Sequence, residues 1–173
     1  TGYGSPVYDG FRPRADAPIV AMARARGAHV IGKTVTTEFA YFTPRGTKNP
    51  WNQEYSPGGS SSGSAAGVAS GMLAFAIGTQ TGGSVVRPAS FCGVSGYKPT
   101  FGAIPRAGIK LLADSLDTVG VFARSVGDAA MLVGALTQRD DLLELPRGGG
   151  SLRVGLCRTH DWSCVDTETR AVL

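Results

Sequence analysis

Histidine and cysteine are scarce in this sequence. Its 173 residues contain two histidines, His29 and His160, and three cysteines, Cys92, Cys157 and Cys164. None of them falls at metal-ligand spacing, and three sparse thiols make no disulfide framework. A metal site is therefore not expected, no cofactor is indicated, and reduced thiols fit a cytoplasmic setting. No apolar run approaches the ~18 residues of a membrane span. The opening TGYGSPVYDG lacks the basic-then-apolar pattern of a secretion signal, so no membrane partner is expected. Seventeen basic residues against thirteen acidic give a net charge of +4. They are scattered, without a basic run or an aromatic ladder, which argues against a nucleic-acid partner.

Glycine, in contrast, is abundant. Its 25 residues are about double the usual ~7% share, which means many tight turns and close backbone approaches. A 42% hydrophobic content in 173 residues suits a single globular domain. Residues 16–26, DAPIVAMARAR, read as an amphipathic helix with Asp16 as N-cap and Gly27 as its stop. AHVIG, 28–32, reads as a short strand, and 43–63 as a long polar loop. SAAGVASGMLAFAIG reads as a helix of small residues running into a buried strand. Residues 125–137 carry Ser125 as N-cap with Asp128 three residues on, a capping-box analogue before an apolar face. After a PRGGGS linker, LRVGLC, 152–157, reads as another strand. Helices taking turns with non-alternating apolar strands point to a layered α/β/α sandwich with a largely parallel or mixed central sheet. There is no initiator Met, and TETRAVL reads as the start of a helix, so both ends are expected to be cuts and 1–173 a partial domain.

Two motifs have the wrong context. GAHVIGKT, 27–34, matches the phosphate-loop pattern, but that loop needs a strand before its first glycine and a helix after its lysine. Here a helix comes first, and Gly27 reads as its C-cap. GSSSG, 59–63, matches the nucleophile elbow of an α/β-hydrolase-like esterase, with Ser61 at its centre and His160 as a distant base. An elbow needs a buried strand feeding it, and NPWNQEYSPG is not one.

The same serines make better sense with the segments that follow. NPWNQEYSPGGSSSGSAAGVASG, AIGTQTGGSVVRPASFCGVSGYKPTFG and SLDTVGVFARSVGDAA together resemble the amidase signature family of serine amidohydrolases. The resemblance covers about residues 1–135, with its core motifs in 58–139. It implies the family's fold and hydrolysis of a carboxamide C–N bond in a small-molecule substrate through an acyl-enzyme. Self-association is left open.

Carried over by position, the resemblance makes Ser84 the nucleophile and Ser60 the bridging serine that follows a cis peptide. The backbone N–H groups of Thr81, Gly82, Gly83 and Ser84 become oxyanion donors. A neutral lysine amine takes the place of histidine and receives the proton by way of Ser60, which requires a lowered pKa. Ser61 and Arg87 are the candidate substrate contacts. Arg87 lies three residues after Ser84, a malonamidase-like spacing in which the arginine meets a substrate carboxylate; a structural salt bridge is the alternative. Ser62 stands where glycine is usual in the family. Lys33 aligns with a segment after the catalytic lysine, which belongs upstream of a PTGYGS-like stretch. The expectation is that the base lies outside these 173 residues, that the chain alone is inactive, and that it could otherwise be a noncatalytic binding fragment.

Overall fold

The computed structural model describes residues 1–144, 151 and 153–172. Three strands form one sheet, in the order β1 (Phe75–Gln80), β3 (Thr118–Ala123), β2 (Ser95–Tyr97). Both pairings are antiparallel, with Phe75 opposite Ala123, Gln80 opposite Thr118, and Ser95 opposite Ala123. Around the sheet lie α1 (Pro18–Ala25), α2 (Ser62–Ala69), α3 (Val86–Cys92) and α4 (Val126–Thr137), with a short α5 (Thr167–Val172) near the C-terminus.

Every residue of β3 is buried, because helices cover both faces of the sheet. On one face Val119, Val121 and Ala123 pack with Ile19 and Ala23 of α1 and with Ala129, Leu132, Val133 and Leu136 of α4. On the other, Phe122 packs with Ala65, Ala66 and Val68 of α2 and with Ala89 and Cys92 of α3. The layered α/β/α arrangement is as expected from the sequence. Strand direction is not: the described strands run antiparallel. A strand buried on both faces is a continuous apolar run whichever way its neighbours point, so the pattern carried no information on direction.

The helices mostly follow their local signals. Ser125 caps α4 by accepting the Asp128 N–H at 3.1 Å, while its own hydroxyl donates to the Asp128 carboxylate at 2.8 Å. Asp16 is not the N-cap of α1. Ala17 takes that position with no side-chain cap, Pro18 opens the helix, and Asp16 instead pairs with Arg24 at 3.2 Å. Gly27, at φ +85°, follows the end of α1 as expected. AHVIG, 28–32, forms no strand, and Val30 and Ile31 are exposed. Residues 153–157 form none either; Leu152 and most of the PRGGGS linker lie outside the described residues. No described helix is long and apolar enough to cross a membrane.

Candidate active site

Two loops meet at the top of β1. The first runs into α2 and carries Gly59, Ser60 and Ser61; the second leaves β1 and carries Thr81 to Ser84 into α3. The Ser61 N–H donates to the Ser84 carbonyl at 3.3 Å, so the loops are joined backbone to backbone. The Gly59–Ser60 peptide is cis. Ser60 is 1% exposed and Ser84 8%. Among the described residues neither hydroxyl makes a hydrogen bond, to the other or to a third group.

Close backbone approach explains several of the glycines. Gly58 sits at φ +72°, and a Cβ there would come within 2.7 Å of Pro88 Cα, so only glycine lets the serine loop lie against α3. A Cβ on Gly78 would meet Ser61 Oγ at 2.5 Å. The Ser61 hydroxyl accordingly points at β1, 3.5 Å from the Thr79 carbonyl, rather than into open space.

The Thr34–Thr37 segment holds the serine loop from outside. The Thr37 N–H and the Thr36 hydroxyl both donate to the Ser60 carbonyl at 3.0 Å. The Gly63 N–H donates to the Val35 carbonyl at 2.8 Å, and the Thr34 and Ser64 hydroxyls lie 2.7 Å apart. The segment that follows Lys33 thus serves as a brace. Lys33 itself is exposed and lines a shallow cleft with Arg12, Arg14 and Asp16.

The turn after β1 presents an unusual set of donors. Among the described residues the N–H groups of Gly82, Gly83 and Ser84 have no acceptor, whereas those of Val85 and Val86 are taken by Gln80 Oε1 at 2.9 and 3.0 Å. Gln80 therefore ties the end of β1 to the start of α3. Consecutive N–H groups free beside a buried hydroxyl can stabilise an oxyanion forming there.

Arg87 stands on the first turn of α3. Its Nε donates to the Gly59 carbonyl at 3.0 Å, and among the described residues it has no carboxylate partner, so the salt-bridge alternative is not realised. Arg87 is exposed, and among the described residues its two terminal nitrogens make no hydrogen bond.

Some residues that order the site gave no signal in the sequence. Besides Gln80, buried Asp117 accepts the Thr81 hydroxyl on Oδ1 and the N–H groups of Leu112 and Ala113 on Oδ2, at 2.5 and 3.0 Å. Asn49 Nδ2 donates to the Phe91 carbonyl at 2.8 Å and Trp51 Nε1 to that of Cys92 at 2.7 Å, which clamps the long loop onto the end of α3. Asp117 to Thr81, Asn49 to Phe91 and Trp51 to Cys92 are contacts between residues distant in sequence, while Gln80 reaches Val85 and Val86 only because the intervening turn folds back. Burial pushes the Cys92 thiol upward. His160 is 91% exposed at its side chain and pairs with Asp161; it makes no described contact with Ser61.

Similarity to known proteins shows the family of the chain. The Amidase family model matches residues 1–170. The chain is 44% identical over 160 residues to the A subunit of glutamyl-tRNA(Gln) amidotransferase from a Cyanothece species, covering 89% of this chain and 32% of that protein. Among solved structures, the corresponding amidotransferase polypeptide of Thermotoga maritima aligns with TM-score 0.76 and 43% identity, over 82% of this chain and 33% of that one. The peptide amidase of Stenotrophomonas maltophilia aligns with TM-score 0.75 and 42% identity, over 87% and 34%. The chain thus spans about a third of the length of these relatives, and it belongs to the amidase family.

Proposed function

We propose that the protein containing this chain breaks carboxamide C–N bonds as an amidase-type hydrolase or amidotransferase, with Ser84 as nucleophile. The observation that carries this reading is the buried Ser84 hydroxyl at the end of a turn whose Gly82, Gly83 and Ser84 N–H groups have no described acceptor, joined to the Ser60 loop through Ser61 N–H. Thr81 N–H is the fourth donor we assign to the array.

Ser84 Oγ attacks the amide carbon while its proton passes to Ser60 Oγ, whose own proton passes to a neutral lysine amine. The tetrahedral oxygen faces the turn's N–H groups, where one donor is worth ~3 kcal/mol of transition-state stabilisation. Collapse expels ammonia or an amine, protonated back along the relay, and leaves an ester on Ser84. Water attacks that ester by the same path and releases the carboxylate. In an amidotransferase the released nitrogen is handed on.

Among the described residues none of the four lysines of this chain hydrogen-bonds to Ser60 or Ser84. Lys33 and Lys48 are exposed, Lys98 Nζ donates to the Pro99 carbonyl at 2.7 Å, and Lys110 lies over the rings of Tyr3 and Tyr8. The relay lysine is therefore assigned to another part of the whole protein, and the 173-residue chain is inactive alone. Without the amine, Ser84 remains a weak nucleophile at pH 7. The exposed fork of Arg87, held by Gly59, assigns substrates bearing a carboxylate near the scissile amide. A reducing cytoplasm is the compartment that suits three unpaired thiols.

The test is amide hydrolysis by the whole protein and by this chain separately, each beside its Ser84→Ala and Lys33→Ala variants. Activity only in the whole protein, abolished by Ser84→Ala and kept in Lys33→Ala, is expected. Turnover by the isolated chain that Lys33→Ala abolishes would make Lys33 the base and overturn the assignment.

A further inference from the structure

The nucleophile turn is held by α3 from Gly83 onward, where the Gly83 carbonyl accepts the Arg87 N–H at 2.8 Å, and on the β1 side through Thr81; among the described residues Gly82 between them makes no hydrogen bond. Space around Gly82 is open, with nothing within 4 Å of where a Cβ would stand, and the nearest atom to a Cβ on Gly83 would be Arg87 Cβ at 3.8 Å. Side-chain packing therefore does not set the direction of the Gly82 and Gly83 N–H groups. On the α3 side the anchors are Gln80 Oε1 on Val85 and Val86 and the Ser84 carbonyl on Ser61 N–H. On the β1 side the anchor is the Thr81 hydroxyl, donated to Asp117 Oδ1.

Asp117 is itself firmly fixed. It is 4% exposed, its Oδ2 holds two backbone N–H groups of the preceding loop, its own N–H donates to the Ala113 carbonyl at 2.9 Å, and its carbonyl accepts from Arg106 Nη1 at 3.2 Å. It directly precedes β3, where Thr118 pairs with Gln80. A buried carboxylate with both oxygens engaged is a rigid acceptor, and a hydrogen bond to an ionised acceptor is among the stronger ones.

We infer that Asp117 is a positioning residue for the reaction: by holding the Thr81 hydroxyl it fixes the β1 side of the turn, which α3 holds only from Gly83 onward, and so aims the Gly82–Ser84 N–H groups at the forming oxyanion. Asp117 touches neither substrate nor nucleophile and acts only through Thr81. The inference rests on the reading of Ser84 as nucleophile.

The experiment follows saturable phosphonylation by a fluorophosphonate in the whole protein, where the attacked phosphoryl oxygen stands in for the carbonyl oxygen. Thr81→Val removes the hydroxyl and leaves Asp117 bound to Leu112 and Ala113. The limiting labelling rate should fall ~10- to 100-fold, the scale on which small misplacements act. The half-saturating concentration should change little, because the turn is aimed and not occupied by the probe before attack. Thr81→Ser, which keeps the hydroxyl, should recover most of the rate. In an Asp117→Ala background Thr81→Val should have no further effect. Thr81→Ala, which cannot crowd the turn, carries the test if the valine variant does not fold.

Labelling at the same limiting rate in the hydroxyl-free variants as in the unmodified protein would overturn this role for Asp117 while leaving Ser84 as nucleophile. Equal loss in Thr81→Ser and Thr81→Val would do the same. No adduct on Ser84 in the unmodified protein would instead overturn the reading on which the inference rests.

Discussion

The Ser61 N–H donates to the Ser84 carbonyl at 3.3 Å, and that bond joins the two serine-bearing loops backbone to backbone. It sets the backbone of Ser60, one residue earlier, beside the nucleophile turn. If Ser60 carries the proton, Ser60→Ala in the whole protein should lower the acylation rate by ~10³-fold or more, the scale seen when one member of a coupled relay is lost. Its fold should persist, since the Ser60 contacts to Thr36 and Thr37 use the backbone carbonyl. Stopped-flow acylation with an activated amide measures this, and a loss under tenfold with the fold intact would remove Ser60 from the relay.

Arg87 offers a test of specificity. Nε is engaged by the Gly59 carbonyl, so Arg87→Ala removes both a brace and a carboxylate contact. Substrate comparison separates them: for an amide carrying a nearby carboxylate kcat/KM should fall ~10-fold or more further than for a neutral analogue, as expected for a lost charge-assisted pair. Equal losses on the two substrates would leave only the bracing role.

Thiol chemistry should divide the cysteines. Burial raises the Cys92 pKa, so at pH 8 less of it is thiolate than of an ordinary cysteine. Cys157 and Cys164 are exposed. With a thiol-reactive probe on the folded chain, these two should react at least ~10-fold faster than Cys92, since the thiolate is the attacking species. Raising the pH should speed Cys92 latest of the three. Comparable early rates for all three would show that α3 does not keep its buried face closed.

How much of this was legible in the sequence depended on whether the signal was local. Ser125 with Asp128, Gly27 after α1, and the small residues of α2 followed by β1 each act within a few positions, and the structure has these elements as read, except that β1 is half-buried from Phe75 to Thr79, with only Gln80 buried. The paired glycine-serine blocks marked the site because both are dense in residues that close backbone approach demands, as at Gly58 against Pro88. Asp16 was misread because the same side chain that could cap α1 found Arg24 instead. AHVIG has strand composition but no described sheet partner, and strands exist only in pairs. Gln80 and Asp117 were silent for a related reason. An amide and a carboxylate in apolar surroundings mean nothing until the fold shows that their acceptors face Val85, Val86 and Thr81.

The central claim is that Ser84, and neither Ser61 nor Ser60, is the residue that bonds to substrate. Labelling the whole protein with a fluorophosphonate and mapping the adduct by peptide mass spectrometry tests it most directly. The account predicts one adduct, on Ser84 in the peptide containing TQTGGS, and none after Ser84→Ala. An adduct on Ser61 that survives Ser84→Ala would contradict it.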